Sequence, residues 1–157
     1  MKTLIIAVGK LKADFAQTGS RFFLERLRRY GPVEVIETRD VSRRGKGLVD
    51  RCRAEEAAAI RAAIPRGAFV VALDERGAQW TSREFAGWLE KRRDTGVSCI
   101  AFIIGGPDGL DADLRNEAGR TWSLSSLTFS HELARVLLSE QLYRAATIMA
   151  GHPYHRD

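Results

Sequence analysis

Only two cysteines occur in the 157 residues, Cys52 and Cys99, and neither belongs to a CxxC pair or has histidines at ligand spacing. The sequence therefore offers neither a zinc site nor a disulfide framework, and Cys99, inside the apolar run VSCIAFII, reads as core rather than as a catalytic thiol. No apolar run approaches the roughly 20 residues that a membrane-crossing helix requires, so no membrane partner is expected. The opening MKTLIIAVGK has the charge and hydrophobicity of a leader, but Thr3 to Val8 is shorter than a signal core and no small-residue cleavage site follows. A first strand and a cytoplasmic protein are expected instead. Internal repeats are missing, and histidine is scarce: His131, His152 and His155 are the only three.

The composition that remains is that of a folded, water-soluble domain. Hydrophobic residues make up 45% and charged residues 29% of the chain, too apolar for a disordered polymer. A chain of 157 residues buries about two thirds of the surface its unfolded form exposes, so one domain over residues 1–157, with one core and no linker, is expected. The formal net charge is +5 and the isoelectric point near 9.6. Basic residues crowd the first third, where Arg39, Arg43, Arg44, Lys46, Arg51 and Arg53 lie close together. Such a distribution favours a polyanionic partner such as nucleic acid. A solvated arginine-rich surface accounts for the same charge, and composition does not choose between them.

Apolar runs suited to buried strands occupy Thr3 to Val8, Val33 to Glu37, Ala68 to Leu73 and Val97 to Ile104, with a shorter one at Thr121 to Leu124. Helical patterns separate them: Phe15 to Tyr30, the alanine-rich Leu48 to Ile64, Ser82 to Thr95, a short Asp111 to Ala118, and a long amphipathic His131 to Ala150. Ser82 and Ser130 read as N-caps, while Gly96 and the pair Gly151 and Pro153 read as stops. This alternation implies an α/β domain with a mostly parallel sheet flanked by helices. The segment RDVSRRGKG, Arg39 to Gly47, reads as a basic loop that orders on a polyanion.

FIIGGPDGL, residues 102 to 110, closes the fourth strand with three glycines. The dinucleotide fingerprint G-x-G-x-x-G belongs after the first strand, where backbone N–H groups and the next helix meet a pyrophosphate. Here the first strand ends with a single glycine, the later spacing is G-G-x-x-G, and Pro107 removes a donor from the stretch that would need it. Pro-Asp-Gly is a turn signal in its own right, with Gly109 suited to positive φ. Asp108, Asp111 and Asp113 stand beside the loop, and Asp74 and Glu75 follow the neighbouring strand end, which disfavours an anion and suits a ligand carrying positive charge. Helix capping is the plainer account of Asp111 and Asp113. Ligands of open α/β sheets sit at the carboxyl ends of strands. LDERG, IGGPDG and WSLSSLT therefore mark a pocket, where Gly105, Gly106, Ser123, Ser125 and Ser126 let the main chain approach a ligand closely.

The segments LDERG.QW.S.EFA, IGGPDGL, WSLSSLTFSHELARVLLSEQLYRA and the terminal PYHR closely resemble the ribosomal RNA large subunit methyltransferase H family, part of the SPOUT class, in order and in distance from both ends. The resemblance runs from IIAVGK to the tail. It implies a SPOUT-type α/β fold with a C-terminal trefoil knot, against the general rarity of knots. It also implies S-adenosyl-L-methionine-dependent methylation of N3 of a pseudouridine in the helix 69 loop of 23S rRNA, within the assembled ribosome, by a homodimer. On the matching positions it assigns cofactor binding to Leu73, Gly105, Leu124, Ser125, Ser126, Leu127, Thr128 and Phe129. Where the family often has proline before the histidine of the last helix, this chain has Ser130, a good helix cap.

Methyl transfer from a sulfonium is an in-line displacement, served by holding donor and acceptor in register and needing neither metal nor covalent nucleophile. Because positive charge leaves the sulfur, Asp74, Glu75 and Asp108 are expected to aid binding rather than turnover. The N3 proton needs a base or the solvent. His155, in the polar tail, is the candidate, with Tyr154 placed to stack on a base and Arg156 to meet phosphate. His131, in the first turn of the last helix, is the alternative base, or a structural residue. Arg135 and Arg144 suit RNA contacts or salt bridges to Glu132 or Glu140 equally. Trp80, Trp88 and Trp122 read as packing residues. Two other readings stay open: a non-catalytic ribosome-binding module, and a related methyltransferase acting on another uridine.

Overall fold

The computed structural model describes residues 1–41 and 48–156; most of the basic loop expected at Arg39 to Gly47 lies outside the described residues. Among the described residues, five strands, β1 (Lys2–Val8), β2 (Val33–Thr38), β3 (Phe69–Gln79), β4 (Cys99–Ile104) and β5 (Arg120–Ser123), alternate with five helices. The helices are α1 (Asp14–Leu27), α2 (Val49–Ala63), α3 (Ser82–Asp94), α4 (Ala112–Glu117) and α5 (His131–Met149). All the strand pairs are parallel, in the order β2-β1-β4-β3-β5, the sheet that strand and helix alternation predicts.

β1 and β4 sit inside the sheet and are covered on both faces, so IIAV and CIAFII are continuous apolar runs rather than alternating ones. Successive residues still point to opposite faces. Ile5, Ala7, Ile100, Phe102 and Ile104 pack under α1, α3 and α5, whereas Leu4, Ile6, Val8, Ala101 and Ile103 pack under α2 and α4. On the first of these faces α5 contacts both α1 and α3. Phe85 and Trp122 stack there with ring centroids 4.2 Å apart, and Trp80 and Trp88 join them. The tryptophans are packing residues, as their sequence positions suggest. Each fully buried side chain of this size contributes about 2–3 kcal/mol relative to exposure. Both cysteines are buried free thiols.

Several element ends differ from the sequence pattern for identifiable reasons. β3 does not stop at Leu73. Leu73 and Ala78 both pair with Trp122, so Asp74 to Gly77 are an excursion inside one long strand, and its polar residues disguise the continuation as a turn. A β-carbon on Gly77 would stand 2.6 Å from the Trp122 carbonyl carbon, which leaves only glycine able to fold this excursion against β5. α3 is capped by Thr81 rather than Ser82: the Thr81 hydroxyl accepts the Glu84 amide at 3.2 Å while the Glu84 carboxylate accepts the Thr81 amide at 2.7 Å. The Ser82 hydroxyl donates instead to Gln141 of α5, at 2.8 Å. α1 starts after Ala13, which has no side-chain acceptor. Glu132 of α5 supplies one, its carboxylate accepting the amides of Lys12 and Ala13, and the Lys12 amide holds that carboxyl below its ordinary range. Ser130 caps α5 through the Leu133 amide at 3.3 Å, as expected.

Candidate functional site

At the carboxyl ends of β3, β4 and β5 a cavity of about 660 Å³ opens beside the first turn of α5, a size typical of cofactor pockets. Its walls include Leu73, Gly105, Leu124, Ser125, Leu127, Thr128 and Phe129. Ser126, the remaining position assigned to the cofactor by resemblance, is exposed beside this wall and is not among the lining residues.

Two backbone features shape the cavity. After β4 the chain turns at Gly106-Pro107-Asp108-Gly109, closed by the Gly109 amide on the Gly106 carbonyl at 2.9 Å, with φ of +80° at Gly109. The turn folds so tightly over Gly105 that a β-carbon there would lie 2.5 Å from the Gly109 carbonyl carbon. After β5 the segment 124–130 is fixed by its own small polar side chains. The Ser123 hydroxyl donates to the Ser125 carbonyl at 2.6 Å, the Leu127 amide to the Ser125 hydroxyl at 3.0 Å, and the Thr128 hydroxyl to Glu75 at 2.7 Å. That last bond ties this segment to the β3 excursion.

The electrostatics depart from the acidic pocket expected from Asp74, Glu75 and Asp108. All three line the cavity, but so do Arg53, Arg76 and Arg115. Asp74 lies 3.3 Å from Arg115 and accepts the Arg76 amide at 3.0 Å, while Asp111 is spent on capping α4. Arg53 and Arg115 arrive from α2 and α4, whereas Arg76 directly follows Glu75 in β3, so weighing the acids alone overstated the negative charge. The walls suit a ligand that carries both signs of charge and an apolar body, met by Leu73, Leu110 and Phe129. Trp122 also lines the cavity, and its buried indole N–H has no hydrogen-bond partner among the described residues. Charges of both signs, apolar wall residues and a tight turn that leaves no room for a β-carbon at Gly105 fit a cofactor. Among the described residues no cluster of carboxylates, histidines or thiols is arranged to hold a metal, and no helix is long and apolar enough to cross a membrane.

The candidate substrate residues lie elsewhere. The tail folds back on α5, where the Tyr154 hydroxyl donates to Glu140 at 3.1 Å and its ring meets Tyr143 with centroids 4.7 Å apart. His155 Nδ1 is 3.3 Å from Arg144, and Arg156 is exposed. Arg144 pairs with Glu140 at 2.6 Å, one of the expected bridges. Arg135 does not bridge to Glu132: it is buried and bonded to the Gly9 carbonyl and to Glu37 at 2.6 Å, which makes it structural. Ten residues of helix from Ala134 at the cavity to Arg144 under the tail span about 15 Å. Among the three histidines only His131 lines the cavity.

The family model described as Predicted SPOUT methyltransferase matches residues 1–155. The chain belongs to the SPOUT methyltransferases. It is 47% identical over 157 residues to a protein of Thiobacillus denitrificans named Ribosomal RNA large subunit methyltransferase H, with all of both chains covered. A protein of the same name from Allorhizobium ampelinum is 42% identical over 161 residues, again across both full lengths. Among solved structures, a probable methyltransferase from Bordetella pertussis superposes with a TM-score of 0.54 at 16% identity, covering 92% of this chain and 95% of that one. A putative methylase family protein from Neisseria gonorrhoeae gives 0.55 at 12% identity, covering 99% and 86%. At such identities the two structures speak for the fold.

For this SPOUT methyltransferase, sequence reasoning identified most of the residues around the cavity and missed its cations. Arg115 lay in a short polar helix and Arg53 in a run of arginines. Nothing in their local patterns separates a pocket arginine from a solvated one.

Proposed function

We propose that this methyltransferase uses S-adenosyl-L-methionine to methylate N3 of a pseudouridine in the helix 69 loop of 23S rRNA, on the assembled ribosome and in the cytoplasm, as a homodimer. The observation that carries the reading is that seven of the eight positions assigned to the cofactor by resemblance converge on one cavity at the carboxyl ends of β3, β4 and β5. The bound cofactor supplies a sulfonium-activated methyl group. The task left to the chain is placement, and a turn and segment fixed by internal hydrogen bonds hold a ligand without reorganising.

Because its own tail lies along α5, away from the cavity, each site is completed in this reading by the tail of a second subunit. Tyr154 then stacks on the target base, Arg156 meets phosphate, and His155 takes the N3 proton as the new N–C bond forms. One observation favours a second assignment of the base, since His131 already lines the cavity. Replacing each histidine by alanine separates them: the base is the one whose loss lowers kcat and removes the acid limb of the pH–rate profile.

The test of the function is mass spectrometry of 23S rRNA from a strain lacking this protein, in which one methylated pseudouridine should disappear. Purified protein should restore it on whole ribosomes. Restoration only on naked RNA overturns the substrate assignment, and an unchanged modification pattern overturns the reaction. Titration calorimetry with S-adenosylmethionine separates this enzyme from a non-catalytic ribosome-binding module.

A further inference from the structure

α2 carries two side chains, one helical turn apart, that reach the turn over Gly105. The Arg53 guanidinium donates two hydrogen bonds to the carbonyl oxygen of Asp108, 3.0 Å from Nε and 2.7 Å from Nη2, and its Nη1 lies 3.6 Å from Asp50. Asp108 is the third residue of the turn that the Gly109 amide closes on Gly106. Glu56, 3% exposed, accepts the Val41 amide at 3.3 Å and fills the space behind Gly106, where a β-carbon would stand 3.1 Å from Glu56 Oε2. One residue of α2 therefore grips the outer limb of the turn and another backs the inner limb.

A carbonyl at the third position of a surface turn is ordinarily left to water. A planar guanidinium fork fixes its direction, which a single ammonium donor does not. Arg53 lines the cavity, yet both of these bonds are spent on the protein's own backbone.

We propose that Arg53 is a positioning residue for the cofactor turn: by clamping the Asp108 carbonyl it holds the turn against Gly105 and so sets affinity for the cofactor, without contacting the target RNA. The inference rests on the proposed reading of the cavity as the S-adenosylmethionine site. The competing role for an arginine that follows a basic segment is direct contact with rRNA phosphate.

Arg53→Ala and Arg53→Lys decide between them through three measurements on the full chain. These are hydrogen–deuterium exchange of the peptide spanning residues 105–110 without ligand, Kd for S-adenosylmethionine by calorimetry, and KM for ribosomes. Arg53→Ala should speed exchange in that peptide and raise Kd about tenfold, the effect of losing one to two charge-assisted hydrogen bonds, while KM for ribosomes stays within twofold. Arg53→Lys, able to place one donor on the carbonyl, should fall between. Unchanged exchange overturns the clamp. Faster exchange with unchanged Kd reduces Arg53 to a structural residue and overturns the positioning role, and a raised KM for ribosomes with unchanged Kd assigns it to RNA instead. If the wild-type protein itself takes up no S-adenosylmethionine, the reading of the cavity fails and this inference with it, an outcome separate from a wild-type protein that binds and a variant that binds equally well.

Discussion

Gly105 and Gly87 show how differently one residue type is constrained in this chain. A β-carbon at Gly105 meets backbone at 2.5 Å, which cannot move aside cheaply, whereas at Gly87, on the exposed side of α3, it meets nothing within 4 Å. Gly105→Ala should therefore weaken S-adenosylmethionine binding by more than about tenfold, read by calorimetry. Gly87→Ala should raise stability by up to about 1 kcal/mol, read by urea denaturation. Burial pushes the Cys99 thiol above its ordinary value despite the neighbouring Lys2, so thiol reagents at neutral pH should label it only on unfolding. These contrasts bear on what a sequence discloses about a site. Pro-Asp-Gly was enough to foresee the turn and the positive φ at Gly109, because both depend on local backbone chemistry. The cations Arg53 and Arg115 stayed hidden, because the cavity takes them from two separate helices.

The helices differ in where their caps come from. α3 carries its own capping box, so Thr81→Ala should cost about 1 kcal/mol, measured by chemical denaturation. The sequence pattern pointed to Ser82, one residue too late; Ser82 donates to Gln141, a contact with a helix about sixty residues away that no local pattern contains. α1 borrows its cap from Glu132, so its start is fixed by tertiary structure. Backbone bonds from Lys12 and then Ala13 depress the Glu132 carboxyl, which means the stabilisation is present above the unfolded pKa and is lost as pH falls through the folded one. Glu132→Gln should accordingly lower Tm at neutral pH, and the difference from wild type should close only in acid, once pH has fallen through the depressed folded-state pKa and the wild-type carboxyl is also neutral. A gap that persists unchanged in acid would mean that the glutamate acts through shape rather than charge.

Across the whole molecule, the sheet was legible because β1 and β4 are covered on both faces and advertise it as unbroken apolar runs. The length of β3 was not, since its polar excursion reads as a loop until β5 is known to pair on both sides of it. The trefoil knot is implied by the family resemblance alone; no local pattern of residues signals it. The separation of tail and cavity within one chain leads to a prediction about pairs of chains. Mixing Gly105→Ala subunits with His155→Ala subunits, at an S-adenosylmethionine concentration too low for the first variant to bind and with the second inactive alone, should restore roughly a quarter of wild-type turnover if the dimer is isologous and the tail serves the partner's cavity. No recovery on mixing would place the tail's action in its own subunit, and a His155→Ala protein active alone would remove that histidine from catalysis.

The sheet order also governs when the fold can be completed. β1 lies between β2 and β4, with Lys2 opposite Cys99, so the first strand made waits for a partner nearly a hundred residues later. Closing so long a loop before its contacts form is slow, and on the ribosome that makes it, β1 must stay unpaired on one edge until β4 has emerged.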